Sequence, residues 1–313
     1  MIETPPPDFR KVLVTGGCGF VGSRICEFLQ NSGYEATALD INPQNALPGV
    51  KVRQVDIRDY LAVDRACRGA DAVMHLAALV GVPLSLENPK LFWEVNTVGT
   101  LNVLEAVRKR EVRRLFLASS NAVYGQYPVL DGGIPEDHPK RPANPYGASK
   151  LAGEALVDSY HQSYGIDCVT ARWSSVYGPK QQERNVVWIF IERALRGEPL
   201  YLHGGGQQGR DFTYVDDVAQ GGVLALEKGR GGEVYNISSG ATRTVRELAE
   251  AIQKEIPGTE LVEGPERAGD ASQGALDISK AAAEFGYSPK VDLEMGIRKC
   301  IRWIREVSGG SVS

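Results

Sequence analysis

Val12-Leu13-Val14-Thr15-Gly16-Gly17-Cys18-Gly19-Phe20-Val21-Gly22 is the stretch on which the reading of this 313-residue chain turns. Residues 11–15 are apolar, β-branched and cut off by glycines, which predicts a short buried strand. Residues 23–31 predict a helix with Ile25, Phe28 and Leu29 on one face. Between them lie two overlapping frames, Gly17-x-Gly19-x-x-Gly22 and Gly16-x-x-Gly19-x-x-Gly22. Glycines in such a turn permit a tight reversal, a close approach of backbone to a pyrophosphate, and close packing of helix on strand. The helix N-terminus adds free N–H groups for phosphate oxygens. A second strand over 35–39 ends in Asp40, about 20 residues beyond the loop. A carboxylate there accepts hydrogen bonds from a ribose diol and repels a 2′-phosphate, so NAD is expected in preference to NADP.

The bulk composition bounds the rest. The formal net charge is −4 and no basic run stands out, so nucleic acid is not an expected partner. No apolar run is long enough to span a bilayer, and the proline-rich residues 1–10 lack the apolar core of a signal peptide. A cytoplasmic protein is therefore expected, with no membrane contact. The five cysteines (Cys18, Cys26, Cys67, Cys168, Cys300) show no metal-ligand spacing, so no metal is expected, and their odd number fits buried free thiols.

Beyond Asp40 the pattern keeps alternating. Strands are predicted over 51–55, 72–78, 114–118 and 167–172, and helices over 60–68, 91–109 and 149–165. This is an α/β chain of the Rossmann-type, doubly wound parallel kind. Asp56 could reach an adenine amino group or cap the next helix, and both remain open. Leu76, Ala77 and Ala78 present small side chains at a strand end, where a ligand can lie flat; His75 reads as a packed strand-end residue. Asn96 falls inside an amphipathic helix marked by Leu91, Val95, Val98, Leu101, Leu104 and Val107, and is expected to fix backbone beside the cofactor. After Trp173 the pattern changes. Residues 174–185 read as a crossover, with helices over 186–196, 216–228, 245–255, 279–285 and 293–306 and a strand over 233–237. The expected division is a dinucleotide-binding part, residues 1–174, and a smaller α/β substrate-binding lobe, residues 175–313, some of whose segments return to the first part.

Tyr146 and Lys150 stand four apart at the start of a predicted helix and so share a face. A tyrosine acting as a base near pH 7 needs its anion stabilised by about 4 kcal/mol relative to its usual pKa of about 10. One ammonium about 4 Å away supplies about 4 kcal/mol at an effective dielectric of about 20. Ser120, at the carboxyl end of a sheet strand, can hydrogen-bond the same substrate oxygen. A dinucleotide loop, then Ser120, then Tyr146-x-x-x-Lys150 is far more specific together than any piece alone.

On these residues the chain resembles the extended short-chain dehydrogenases/reductases, specifically the NAD-dependent sugar-nucleotide epimerase/dehydratase family. The resemblance runs through Thr15 to Gly22, including Phe20 and Val21, then Asp40, Asp56-Ile57, His75 to Ala78, Asn96, Ser119 to Gly125 and Tyr146 to Lys150. It continues through Arg172, Val176 to Pro179, Arg210-Asp211-Phe212, Tyr235 to Gly240 and Arg267-Ala268-Gly269-Asp270. It implies catalytic roles for Ser120, Tyr146 and Lys150, and a substrate set of Ser85, Asn121, Ser175, Asn185, Arg210, Arg267 and Asp270. Arg210 and Arg267 would grip the diphosphate of a nucleoside-diphosphate sugar with their donor forks, or else pair with Asp211 and Asp270. The 4,6-dehydratases of the family resemble Thr-Asp-Glu before Val-Tyr-Gly, where this chain has Ser120-Asn121-Ala122. The decarboxylases carry Glu where Ala122 stands. What remains is a 4-epimerase acting on a UDP-sugar through a 4-keto sugar, with no net redox. The alternatives are a keto-sugar-nucleotide reductase and an NAD-binding protein without turnover. The family usually has Phe-Asn where Ser174-Ser175 stands, and Gly274 is expected to leave room for an N-acetyl group. A homodimer through a four-helix bundle is also implied.

Overall fold

The computed structural model describes residues 9–181, 185–265 and 272–309. Its first half runs β1 (Lys11–Thr15), α1 (Phe20–Asn31), β2 (Glu35–Asp40), β3 (Lys51–Gln54), α2 (Tyr60–Cys67), β4 (Ala72–His75), α3 (Val82–Glu87), α4 (Pro89–Trp93), α5 (Gly99–Lys109), β5 (Arg114–Ser120), α6 (Pro145–Tyr164) and β6 (Asp167–Trp173). Its second half runs β7 (Ser175–Tyr177), α7 (Val186–Leu195), β8 (Leu200–His203), β9 (Gly209–Arg210), β10 (Phe212–Tyr214), α8 (Val215–Lys228), β11 (Val234–Ile237), β12 (Arg243–Thr244), α9 (Val245–Glu255), β13 (Leu261–Gly264), α10 (Ser279–Phe285) and α11 (Leu293–Gly309).

Seven strands form one parallel sheet in the order β11-β6-β5-β4-β1-β2-β3. Side chains alternate between two buried faces, as a doubly covered sheet requires. Val12, Val14, Met74, Phe116 and Val169 pack with Ile25 and Leu29 of α1 and Val218 and Leu226 of α8. Leu13, Val73, Leu115 and Leu117 pack with Val63 of α2, Val103 and Leu104 of α5 and Val157 of α6. A separate core, Phe190, Ile191, Leu200, Leu248, Ile252, Ile297 and Ile301 among others, binds α7, α9 and α11. β11 lies outside β6 as the sheet's edge, so the chain leaves the sheet after β6 and returns to it with β11. Among the described residues, no helix is long and apolar enough to cross a membrane.

Two helices depart from the sequence expectation. α6 starts at Pro145, because Asn144 caps it by accepting Gly147 N–H at 2.9 Å and proline suits the first helical position. The helix expected over 91–109 is interrupted by a π turn, Glu94–Val98, between α4 and α5. Such a turn shifts the helical phase, so one 3.6-residue stripe cannot run through it. Leu91, Val98 and Leu101 are accordingly exposed, Leu91 at the cleft, while Phe92, Thr100, Val103, Leu104 and Val107 are buried.

Candidate active site

The carboxyl ends of the sheet strands open into a cleft of about 800 Å³. That is where an open parallel sheet places its ligands. Gly16, Gly19, Phe20, Val21 and Gly22 line it from the β1–α1 turn, Asp40 from β2, and Asp56 and Ile57 from beyond β3. Leu76, Ala77 and Ala78 line it from beyond β4, Ser120 from β5, Tyr146 from α6, and Ser175 and Asn185 from the second lobe.

The glycine turn fits a dinucleotide. Gly16 has φ +68°, and a Cβ there would stand 2.9 Å from Ala77 N. A Cβ on Gly22 would collide with the Gly16 carbonyl, so α1 packs against the turn only without a side chain. Gly19 is the N-cap of α1 with no side-chain cap, and the first turn of α1 holds no acidic residue. Its first-turn N–H groups are thus left for phosphate oxygens. Asp40 ends β2; its Oδ2 accepts Cys18 N–H at 3.0 Å and its Oδ1 accepts Asn42 N–H at 3.0 Å, which fixes the carboxylate beside the loop. Asp40→Ala is expected to weaken NAD binding strongly, read by titration of nucleotide-stripped protein; unchanged binding would refute the ribose role.

Asp56 is not a helix cap. Asp59 takes that position in α2, accepting Ala62 N–H at 3.0 Å, while Asp56 pairs with Arg58 Nη2 at 2.5 Å. The Arg58 guanidinium holds the Asp56 carboxyl below its usual range against the effect of burial. Arg58, Ile41, Trp173 and Gln181 also line the cleft. They belong to no motif, and only the folded chain brings them there.

Tyr146 sits in the first turn of α6, edge-on to Phe92 with ring centroids 6.2 Å apart. Gly147 lets that turn press against the Ser120 loop, since a Cβ there would stand 2.5 Å from Ala122 O. Lys150 lies beneath the wall, 9% exposed, with Nζ donating to Ala118 O at 2.5 Å. Burial lowers its pKa to about 8, with Glu154 pulling the other way. Ser120 Oγ accepts Ala122 N–H at 3.2 Å and donates to Asn121 Oδ1 at 3.3 Å. Asn121 Nδ2 in turn donates to Tyr127 OH at 2.9 Å.

Other expected site residues stand elsewhere. Asn96 is buried behind the wall, where its side chain grips both the N–H and the C=O of Leu79. Ser85 is buried, donates to Val82 O and is not among the residues that line the cleft. Arg210, on β9, donates through Nη1 to Gly209 O at 2.7 Å and is not a cleft wall. The Asp211 carboxylate accepts from Ser239, Thr213 and Leu276. Arg267 and Asp270 lie outside the described residues. At Gly274 a Cβ would meet Pro128 O and Val129 Cα, each at 2.9 Å, so a side chain there would press on the backbone of residues 128–129.

This is the cleft of an NAD-binding enzyme of the extended short-chain dehydrogenase/reductase kind. Residues 12–238 match the NAD dependent epimerase/dehydratase family, and the chain belongs to that family. A UDP-glucose 4-epimerase from Thermus thermophilus, solved in complex with NAD, is 40% identical, with a TM-score of 0.86 over 94% of this chain and 98% of that one. A UDP-glucose 4-epimerase from Thermotoga maritima, solved with UDP-glucose, is 33% identical, with a TM-score of 0.89 over 95% of this chain and 99% of that one. A dTDP-glucose 4,6-dehydratase of Actinoplanes sp. is 33% identical over 94% of this chain and 98% of its own. The cofactor is NAD. Epimerases and a dehydratase fall in one range of identity, so the choice between them rests on the cleft.

Proposed function

We propose that this chain is a 4-epimerase of a UDP-sugar. One observation carries the reading: among the described residues lining the cleft, the only carboxylates are Asp40 and Asp56, both on the β2–β3 side away from Tyr146. Expelling water from a sugar needs an acid and a base in addition to the group that handles the C4 hydroxyl. Here Asn121 and Ala122 stand where the dehydratases of the family resemble an Asp-Glu pair, and neither side chain exchanges protons.

Tyr146 takes the proton of the C4 hydroxyl and later returns it to the oxygen of the inverted product. The Lys150 ammonium stabilises the phenolate, and Ser120 donates a hydrogen bond to the same oxygen. Bound NAD supplies the hydride acceptor, and in reduced form the donor, that the exchange requires. Ser175 and Asn185, both cleft wall, border the sugar end. Incubated with UDP-glucose or UDP-galactose and no reductant, the protein is expected to produce the other sugar with no net change in NADH absorbance. Stoichiometric NADH change, or a 4-keto-6-deoxy product, would overturn the reading.

The working unit is a homodimer. Leu84, Leu86, Trp93, Val98 and Leu101 are exposed along α3, α4, the π turn and α5. Exposed apolar side chains on neighbouring helices mark a candidate interaction surface, and α6 packs against α3, α4 and α5.

A further inference from the structure

His75 closes β4 with only 2% of its surface exposed, and no step of the proposed reaction uses it. Its neighbours set the direction of every hydrogen bond around it. Thr15 Oγ1 accepts the Ala77 N–H at 3.1 Å and the Leu76 N–H at 3.1 Å, the latter shared with the Thr15 carbonyl at 3.2 Å, so N–H donors face both its lone pairs. Its one hydrogen therefore goes to His75 Nδ1, 2.7 Å away. With Nδ1 accepting, the ring proton sits on Nε2 and is donated to Thr100 Oγ1 at 3.0 Å. Thr100 passes its own hydrogen to the Asn96 carbonyl, 2.5 Å away in the π turn.

The chain then divides through the Asn96 side chain. Its Oδ1 accepts Leu79 N–H at 2.7 Å, and its Nδ2 donates to Leu79 O at 2.9 Å and to Ser149 Oγ at 3.0 Å. Ser149 donates to the carbonyl of Tyr146 at 2.8 Å. One end of this chain holds Leu76 and Ala77, the other holds Leu79, and all three are cleft wall. The side branch ends on the main chain of Tyr146.

We propose that His75, as its Nε2–H tautomer, is a positioning residue that sets the Leu76–Leu79 wall of the NAD cleft relative to Tyr146. The proposal rests on the reading of Tyr146 as the proton-exchanging group. A protonated ring cannot serve, because Nδ1–H would face a hydroxyl whose lone pairs already face N–H donors. Burial, and then the Lys150 charge, push the ring's pKa down to about 3, in keeping with a permanently neutral imidazole.

Two measurements on the full chain test this. In ¹⁵N NMR of histidine-labelled protein, the His75 signal, identified by its loss in His75→Asn, should show a protonated Nε2 and a bare Nδ1 throughout about pH 5 to 8. An Nδ1–H tautomer, or titration within that range, overturns the proposal. Thr100→Val leaves Nε2–H without an acceptor. It should raise the dissociation constant for NAD and lower kcat at saturating NAD, each by about 10-fold or more, as small misplacements of a reacting site do. Thr100→Ser, which keeps the hydroxyl, should restore both to within about 3-fold on the same reasoning. A folded Thr100→Val protein with unchanged affinity and kcat refutes the positioning role, and if that variant does not fold, the tautomer decides. Failure of the Tyr146 reading would show separately, as full turnover in Tyr146→Phe, with the tautomer and the NAD affinities unaffected.

Discussion

Turnover falls by about 10²–10⁴-fold when Tyr146 is replaced by Phe, the usual contribution of a positioned proton-transfer group. The loss is confined to chemistry for a structural reason. The phenyl ring keeps its edge-on contact with Phe92, and α6 keeps its Asn144 cap and Pro145 start. The variant should therefore still fold and retain NAD on purification. The Lys150 Nζ is seated on the Ala118 carbonyl, and below its pKa of about 8 it carries the positive charge that the proposed mechanism sets against the phenolate. A Tyr146→Phe protein with parental kcat would mean that another group moves the C4 proton, and the proposed mechanism would fall.

The largest expected loss of stability lies behind the cleft, at Arg172. This side chain has no exposed surface, and its guanidinium meets Glu154 in two parallel bonds, Nε to Oε1 at 2.9 Å and Nη2 to Oε2 at 2.7 Å. Its Nη1 donates to Tyr124 OH at 2.8 Å and to Glu136 O at 2.7 Å. Burial alone would lower its pKa, but the Glu154 carboxylate outweighs burial and raises it. Glu154 Oε1 also accepts from Ser119 Oγ at 2.5 Å, directly before Ser120. Arg172→Met strands a carboxylate that is 7% exposed, and removal of one partner from a buried pair costs about 3–5 kcal/mol. The double variant Arg172→Met, Glu154→Leu should regain much of this, since apolar replacement of both partners is often close to neutral. Thermal melting of the two variants checks it. A single variant as stable as the parent would show that Glu154 finds water or protonates without penalty.

Most of the sheet is legible in the sequence because its strands are continuous apolar runs ended by glycine or by a polar site residue. β1, β2 and β5 carry the glycine turn, Asp40 and Ser120 at their carboxyl ends, so finding the strand also places the site. The strands β7, β8, β9, β10, β12 and β13 have two to four residues, too few for an alternation to register. The π turn is hidden for a related reason: Leu91, Val98 and Leu101 read as one buried stripe until the phase shift leaves them exposed. Asp56 is a plausible cap from composition, and only the backbone path of α2 gives that position to Asp59.

The placement of β11 has an evolutionary corollary. Its four residues pair with Thr170 to Trp173 of β6, although residues 174–233 intervene along the chain. A recombination joint placed just after β6 would therefore bring a foreign edge strand along with every new lobe, and that strand must match the old sheet residue for residue or leave β6 open to pairing with other chains. Substrate preference in such a fold drifts by change of individual side chains around a retained scaffold more readily than by exchange of whole modules.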